Sequence, residues 1–412
     1  MRRGWHLAEM DSRDDFVQDA LRHADFALSL DRHLTHLTHE IVSERYRPRS
    51  LIEIDVPKSL LSVRPGSVLP IEEATILHAV VSVIAPRLDR LLSPSVYSYR
   101  LHKQWQRRVQ KGRSLFVDDE LELPFLKRAT IRRFDPMESW YIAWPEFDQQ
   151  RRVALAEQKF THATKTDISA YFENIDLRLV EQSLTTHLPD EPHLVSLVMR
   201  ILSAWTRTSA HGVTLQRGLP QGNDVSSFLA NIYLLPLDDA LRRFCRRRRG
   251  AWFRYVDDVD VFTHSEDDAR EAVFVINQAL RSLHLNLQGS KTAILSSEDL
   301  KTHYDRKPSE LIEAVARDLQ AISSRHSGAT RERREAIERL KPLASTFRRG
   351  LPKSIKSLDQ QRNRAFRRML TIYGSLGSAW LLKPALAVLH TAPELRLLQK
   401  TMRYMSQMPY QR

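Results

Sequence analysis

The chain is short of cysteine and of long apolar runs. A single cysteine, Cys245, occurs among 412 residues, which excludes an intramolecular disulfide and any zinc site built on several cysteines. The longest apolar stretches, such as residues 76–86 and 194–205, are too short to span a bilayer. The first residues lead into charged sequence instead of the apolar core of a secretory signal. These absences favour a protein of the reducing cytoplasm without a membrane partner.

Basic residues are in excess. Lys and Arg number 63 against 50 Asp and Glu, which gives a formal net charge of +13, and arginines cluster in residues 242–249, 331–334, 348–349 and 362–368. Lys and Arg neutralise phosphates and release counterions, so this excess predicts a nucleic-acid partner. Simple solubility is the alternative. The apolar fraction of 42% is enough for the cores of about two or three domains.

Two adjacent carboxylates, Asp257 and Asp258, stand between the aromatic-rich residues 252–255 and the apolar residues 259–262. This pattern predicts an acidic pair at the tip of a β-hairpin. Like charges held together raise each other's pKa, and a bound cation relieves their repulsion. Hard carboxylate oxygens suit magnesium or manganese. A solvated acidic turn is the other reading of the pair.

A lone carboxylate, Asp167, ends a β-rich segment upstream. It could meet Asp257 and Asp258 only through tertiary structure, at the ends of neighbouring strands. Three carboxylates there would form a two-metal site for in-line phosphoryl transfer, in which one ion activates an attacking hydroxyl and the other holds the departing oxygens. The alternative role for Asp167 is that of a helix N-cap.

A glycine-containing loop lies between these acidic segments. Gly218 and Gly222 bracket Pro220, and an apolar helical segment follows from about Asp224 or Ser226. Glycines let the backbone turn sharply and be approached closely. The loop therefore predicts either a nucleotide-binding turn or an ordinary turn before a capped helix.

The three segments, in this order, resemble the palm motifs of reverse transcriptases, and the resemblance extends over residues 52–295. It implies an α+β right-hand polymerase fold with fingers, a palm containing a small antiparallel sheet, and a helical thumb. It further implies that Asp167, Asp257 and Asp258, with Ile168 beside the first of them, form a site for two Mg²⁺ ions, Mn²⁺ being an alternative.

The same resemblance implies contacts to the incoming dNTP. Gln221, Gly222 and Ile168 would lie beside the nucleotide. Phe172, five residues after the first aspartate, would be the steric gate that excludes a ribose 2′-hydroxyl, which favours DNA synthesis. A core aromatic is a compatible reading of Phe172.

Three basic residues match the family more loosely. Lys291 lies in a segment, residues 285–292, that resembles the family's next motif, where a lysine near the triphosphate can protonate the leaving pyrophosphate. Lys58 and Arg64 lie in a segment that resembles the fingers, whose basic side chains bind the triphosphate. A solvated basic side chain is the alternative for each.

The expected domains are a helical N-terminal extension over residues 1–50, fingers and a connecting insert over 51–160, the palm over 161–298 and a helical thumb over 299–412. Amphipathic periodicity in residues 311–322 and 365–373 predicts helices in the last of these. The thumb itself is inferred from its position after the palm.

The middle motif, Gln-Gly-Asn-Asp-Val-Ser-Ser at residues 221–227, departs at Ser227 from the Ser-Pro that mobile-intron and retron enzymes usually have after the loop. No RNase H carboxylate set and no endonuclease, protease or integrase segment is recognisable. Together with Val-Tyr-Ser-Tyr-Arg at residues 96–100 and Leu-Ala-Asn-Ile-Tyr-Leu at residues 229–234, this departure resembles the bacterial defence-associated and abortive-infection reverse transcriptases. The resemblance implies cDNA synthesis on a structured noncoding RNA in antiphage defence. A retron- or group II intron-derived enzyme and a nonenzymatic RNA-binding scaffold with a polymerase fold remain alternatives.

Overall fold

The computed structural model of the protein describes residues 1–12, 20–59, 62–101, 137, 140–158, 160–206, 215–304, 335, 338–341, 345, 360–375, 378–391 and 395–406. The chain divides into two compact units. The first comprises Met1–Asp55 and Pro65–Thr302, and the second comprises Val56–Arg64 and His303–Arg412. Among the described residues, no helix has both the length and the apolar character needed to cross a membrane.

Helices make up most of the described structure. Those up to the unit boundary are α1 Arg2–Asp11, α2 Ala20–Leu28, α3 Leu30–Val42, α4 Ile71–Leu88, α5 Trp140–Gln158, α6 Tyr171–Asn174, α7 Leu177–His187, α8 Pro192–Ala204, α9 Asp224–Tyr233, α10 Leu235–Arg248, α11 Glu266–Ser282 and α12 Ser297–Tyr304. The later ones are α13 Gln360–Ser375, α14 Leu382–Thr391 and α15 Leu395–Ser406. Residues 365–373 thus lie in a helix as predicted, whereas residues 311–322 lie outside the described residues.

The strands form two sheets. Strands β1 Ile52–Ser59 and β2 Ser62–Val68 make a two-stranded sheet. The larger sheet is antiparallel, has the order β4-β5-β3-β6, and consists of β3 His162–Thr166, β4 Ala251–Tyr255, β5 Asp258–Thr263 and β6 Ala293–Leu295. Thr166 at the end of β3 pairs with Val259 near the start of β5. This register brings the residue after β3 beside the β4–β5 hairpin.

Helix α11 covers this sheet. Its buried residues Ala269, Ala272, Ile276 and Leu280 recur at three- and four-residue spacing, which is the apolar face of an amphipathic helix. The Thr164 hydroxyl on β3 donates a hydrogen bond of 2.6 Å to the carbonyl of Ala269. Burying each large apolar side chain contributes roughly 1.5–3 kcal/mol. The helix thereby stiffens the strands that lead to the acidic residues.

Helix α9 is buried from its second residue, Val225, to its last, Tyr233. It begins at Asp224, one of the two starts that the sequence predicts, because the side chain of Asn223 caps it by accepting a hydrogen bond of 2.8 Å from the amide of Ser226. The Tyr171 hydroxyl at the start of α6 donates to the carbonyl of Ala230. Helix α9 therefore joins α6 to the interior of the first unit.

Helix α7 begins at a buried ionic cap. The carboxylate of Asp176 accepts hydrogen bonds from the amide of Arg178 at 3.0 Å and from its guanidinium at 2.9 Å, and it lies 3.1 Å from Nδ1 of His284. The hydrogen bonds from Arg178 outweigh the effect of burial and lower the pKa of Asp176 to about 2. The ionised carboxylate thus holds the start of α7 against the segment that follows α11.

We predict that Asp176→Ala lowers the free energy of unfolding at pH 7 by about 1–2 kcal/mol, the usual effect of losing an N-cap. The pKa of the carboxyl in the folded protein lies below its ordinary value of 3.8. Its stabilisation is therefore present above about pH 4 and is lost as the pH falls toward 2. Denaturant unfolding at a series of pH values should show the difference from wild type shrinking across that window.

The control is Asn223→Ala, which removes the amide cap of α9. An amide side chain does not titrate in this range, so the loss should be of similar size without the same pH dependence. A destabilisation by Asp176→Ala that stays constant from pH 6 to pH 3 would contradict the ionic cap.

Candidate active site

The β4–β5 hairpin presents the acidic pair on a strained turn. Tyr255 pairs with Asp258, which leaves Val256 and Asp257 as a two-residue turn. Val256 has a φ of 56°, in the left-handed region that β-branched residues rarely adopt, at a cost of roughly 1–3 kcal/mol. The prediction of an acidic pair at a hairpin tip is correct, and the surrounding contacts must hold this turn in place.

Asp167 directly follows β3 and is fixed by its backbone. Its carbonyl accepts a hydrogen bond of 2.8 Å from the amide of Gln288, and the next residue, Ile168, forms a bridge with Leu287. Helix α6 has Ala170 as its N-cap residue, without a side-chain cap. The N-cap reading of Asp167 is therefore wrong, and its carboxylate is directed to the sheet end instead.

The three carboxylates interact electrostatically. Burial, followed by the charges of Asp167 and Asp258, raises the pKa of Asp257 to about 7. Burial also raises the pKa of Asp258, and Asp167 adds to this effect while Lys165 opposes it. Residues far apart in sequence thus meet at one end of the sheet, where their repulsion favours either a bound proton or a bound cation.

A lysine lies against this cluster. Nζ of Lys291 contacts Oδ2 of Asp167, while more than half of the Lys291 side chain is exposed. Burial opposes the shift, but the hydrogen bond and charge of Asp167 raise the pKa of Lys291. Lys291 is thus ion-paired with Asp167. Among the described residues, no group of three or more histidine, cysteine or carboxylate side chains is already arranged to hold a metal ion.

The donor set nevertheless fits divalent cations. Asp167, Asp257 and Asp258 offer only hard oxygen ligands, and two of them have raised pKa values because of burial and mutual repulsion. The side chain of Ile168 is buried, so a metal or nucleotide could be reached only by its backbone. That contact stays a prediction.

A hydrogen bond connects Phe172 to the loop of Gln221 and Gly222, both predicted to contact the nucleotide. The carbonyl of Phe172 accepts a hydrogen bond of 2.8 Å from the amide of Leu219, which ties α6 to the loop containing Gln221 and Gly222. The ring of Phe172 is partly exposed and packs edge-on against Tyr171. Gly222 has a φ of 114°, which a side chain would disfavour.

Lys58 and Arg64, also predicted to contact the nucleotide, do not lie in the same compact unit as the carboxylates. They lie on β1 and β2, in the second compact unit, whereas the carboxylates lie in the first. Their predicted contact with a triphosphate stays a prediction.

The sequence interpretation missed two groups beside the carboxylates. Lys165 lowers the pKa of Asp258, and it lies two residues before Asp167, so strand periodicity could have placed it on the same face. Tyr99 is half-buried, and the pKa of its phenol is raised by desolvation and by the charges of Asp224 and Asp257, against the effect of a hydrogen bond with Ser227. Nothing in the sequence near Tyr99 signals that proximity.

Comparisons with solved structures give distant similarities. An apo telomerase from Candida tropicalis truncated from the C-terminal domain is 12% identical with a TM-score of 0.40, over 63% of this chain and 54% of that chain. Telomerase from Candida tropicalis in complex with a TWJ fragment of telomeric RNA is 11% identical with a TM-score of 0.41, over 92% and 66%. The corresponding complex from Candida albicans is 10% identical with a TM-score of 0.38, over 88% and 64%. The chain thus matches between about half and two thirds of the length of these telomerases.

A comparison with protein families gives a match over residues 79–325, to the family described as Reverse transcriptase (RNA-dependent DNA polymerase). The matched residues include Asp167, the β4–β5 hairpin and Lys291, and exclude Lys58 and Arg64. They make up more than half of the chain. Together with the helix-covered antiparallel sheet, the match confirms the predicted α+β polymerase fold. The chain belongs to the reverse transcriptase family.

Proposed function

We propose that the protein is an RNA-directed DNA polymerase that builds cDNA from dNTPs by two-metal phosphoryl transfer. The observation that supports this most directly is the convergence of Asp167, Asp257 and Asp258 at one end of the palm sheet, in a chain of the reverse transcriptase family. A scaffold that only binds RNA has no physical need for buried, mutually repelling carboxylates.

In this proposal, Asp167, Asp257 and Asp258 bind Mg²⁺ or Mn²⁺, with the backbone of Ile168 beside them. Bound divalent cations supply Lewis-acid activation of the primer hydroxyl and charge neutralisation at the leaving pyrophosphate. The carboxylates stand on strand ends, and this rigid mounting keeps the attacking and leaving groups in line.

The neighbouring residues select and orient the dNTP. The backbone around Gln221 and Gly222 approaches the nucleotide, and the ring of Phe172 occupies the space that a ribose 2′-hydroxyl would need. The exposed ammonium of Lys291 can turn from Asp167 to the triphosphate and donate a proton to pyrophosphate. Lys58 and Arg64 provide further positive charge for the triphosphate.

The same proposal assigns the fingers to residues 51–160, the palm to 161–298 and the thumb to 299–412, after an N-terminal extension of residues 1–50. The net charge of +13 supports binding of an RNA template and its cDNA through phosphate contacts.

The finer part of the proposal is that the template is a structured noncoding RNA and that the cDNA serves antiphage defence in the bacterial cytoplasm. The sequence of α9 supports it, because Ser227 departs from the Ser-Pro that retron and intron enzymes usually have after the preceding loop. A retron-like or intron-like RNA bound to the purified protein would favour those enzymes instead.

We predict that Asp257→Asn and Asp167→Asn each reduce dNTP incorporation by a hundredfold or more, roughly the effect of removing one essential electrostatic group. Incorporation of labelled dNTPs by the purified protein with its co-purifying RNA, at increasing Mg²⁺ or Mn²⁺, measures this. RNA binding in a mobility-shift assay should be largely retained, because the basic surface is unchanged.

The matched control is Asp267→Asn, an exposed carboxylate in the first turn of α11, which should behave as wild type. Near wild-type synthesis by Asp257→Asn or Asp167→Asn would refute the proposed metal site. Absence of incorporation by the wild type on varied templates would favour the RNA-binding scaffold.

We predict that Phe172→Ala lowers the preference for dNTPs over rNTPs by about tenfold or more, because the space for a 2′-hydroxyl is no longer filled. Single-nucleotide incorporation with each substrate gives the ratio of kcat/KM values. Phe274→Ala, at an aromatic residue that is 65% exposed on α11, is the control. An unchanged ratio for Phe172→Ala would place the gate at another residue.

The defence proposal predicts that bacteria expressing the wild-type protein with its associated RNA resist phage, whereas bacteria expressing Asp257→Asn plate phage as efficiently as bacteria without the protein. Immunoblotting checks equal protein levels, and sequencing of the bound nucleic acid identifies the template and its cDNA. Equal protection by wild type and Asp257→Asn would show that defence does not require cDNA synthesis.

A further inference from the structure

In the strained turn of the β4–β5 hairpin, both the amide and the carbonyl of Val256 form hydrogen bonds to side chains. The amide of Val256 donates a hydrogen bond of 2.8 Å to the hydroxyl of Ser98. Its carbonyl accepts a bond of 3.1 Å from Nη1 of Arg254. These bonds fix both peptide planes that flank Val256, and the second plane leads directly into Asp257.

The guanidinium of Arg254 is completely buried. It makes a two-pronged ion pair with Asp238 on α10, at 2.8 and 2.7 Å, in which both side chains are fully inaccessible. The remaining nitrogen, Nη1, donates to Oδ1 of Asn231 on α9 at 2.7 Å as well as to Val256. Arg254 therefore connects two helices to the turn.

Ser98 belongs to the same hydrogen-bond network, because it bonds both Val256 and Asn231. Its carbonyl accepts a hydrogen bond of 2.6 Å from the amide nitrogen of the Asn231 side chain, and its own side chain is fully buried. Residues 95–97 also bond to the backbone of β4, since the amide of Arg254 donates to Ser95 and its carbonyl accepts from Tyr97. The position of Ser98 relative to Val256 is thus fixed by two independent connections.

Stability alone does not account for this arrangement. A buried ion pair such as that between Arg254 and Asp238 is often no more stabilising than apolar residues of similar volume. The pair fixes the orientation of the planar guanidinium, so that its third nitrogen, Nη1, donates to the carbonyl of Val256. An unbonded Val256 would be free to leave its φ of 56°, and this change would rotate the carboxylate of Asp257.

We propose that Ser98 and Arg254 are positioning residues, which act through Val256 to hold Asp257 and Asp258 in the geometry that binds divalent cations. This inference rests on the metal site of the proposed function. Misplacement of a reacting group by about one ångström can reduce a rate about a hundredfold, so the turn needs only a small displacement to affect catalysis.

The first test is Ser98→Ala, which removes one hydroxyl and leaves the amide of Val256 unbonded. We expect kcat for dNTP addition to fall by about ten- to a hundredfold, while KM for dNTP changes by less than about threefold, because the nucleotide contacts proposed around Gln221 are untouched. Titration of the protein with Mn²⁺ in the absence of nucleotide should show weaker binding by a factor of about three or more, a readout that does not depend on activity.

The control is Ser82→Ala. Ser82 is also buried, and its hydroxyl donates one hydrogen bond of 2.7 Å to the carbonyl of Ala79 within α4. This variant loses the same group and should retain the wild-type kcat and Mn²⁺ affinity, even if its melting temperature falls as much as that of Ser98→Ala.

The second variant is Arg254→Lys, which keeps the positive charge beside Asp238 but cannot reproduce the three-way fork. It should also lower kcat and Mn²⁺ affinity, and the double variant with Ser98→Ala should lose less than the product of the two separate factors, since both act through Val256. Wild-type Mn²⁺ affinity in folded Ser98→Ala and Arg254→Lys overturns the inference. Wild-type protein that binds Mn²⁺ without incorporating dNTPs refutes the proposed function, while weaker Mn²⁺ binding by these variants would still support the positioning role.

Discussion

The repulsion among Asp167, Asp257 and Asp258 is the constraint on which the rest of the first unit depends. Two unit charges about 4 Å apart in partly buried surroundings repel by about 4 kcal/mol, and burial adds to the cost of each charge. The sheet register sets this proximity, because the end of β3 lies opposite the start of β5. Lys165 and Lys291 offset part of the repulsion, and a divalent cation would offset more of it.

Two neighbouring carboxylates on β5, Asp258 and Asp260, differ in the counter-charge that the fold gives them. Asp260, two residues after Asp258, is buried and bonded by the guanidinium of Arg151, which also contacts Asp148 at 2.7 Å. A guanidinium remains charged at all relevant pH values, so Asp260 has a permanent counter-charge. Among the described residues, no arginine forms an ion pair with Asp258. Arg151 thus neutralises Asp260 within the fold. The charge of Asp258 is instead left to be balanced by a proton or a cation at the site.

The sequence predicts the acidic residues of the site but not the residues that hold them in position. The acidic hairpin and the start of α9 near Asp224 or Ser226 could be predicted because turn residues, caps and strand periodicity are local signals. The role of Arg254 could not, since it is one of 63 basic residues and its partners come from distant segments. The N-cap reading of Asp167 was wrong because Ala170 occupies that position, and sequence patterns locate helix ends only to within a few residues.

Helix α9 connects the loop proposed to bind the nucleotide with the hairpin proposed to bind metal ions. Its first residues continue the loop of Gln221 and Gly222, and its amide at Asp224 donates to the carboxylate of Asp11 at 3.0 Å. Further along, Asn231 bonds both Arg254 and Ser98 beneath the hairpin. A helix rises about 1.5 Å per residue with little bending, so the distance between the loop and the hairpin is set by one buried element. The burial of α9 therefore serves the geometry of the site as well as the core.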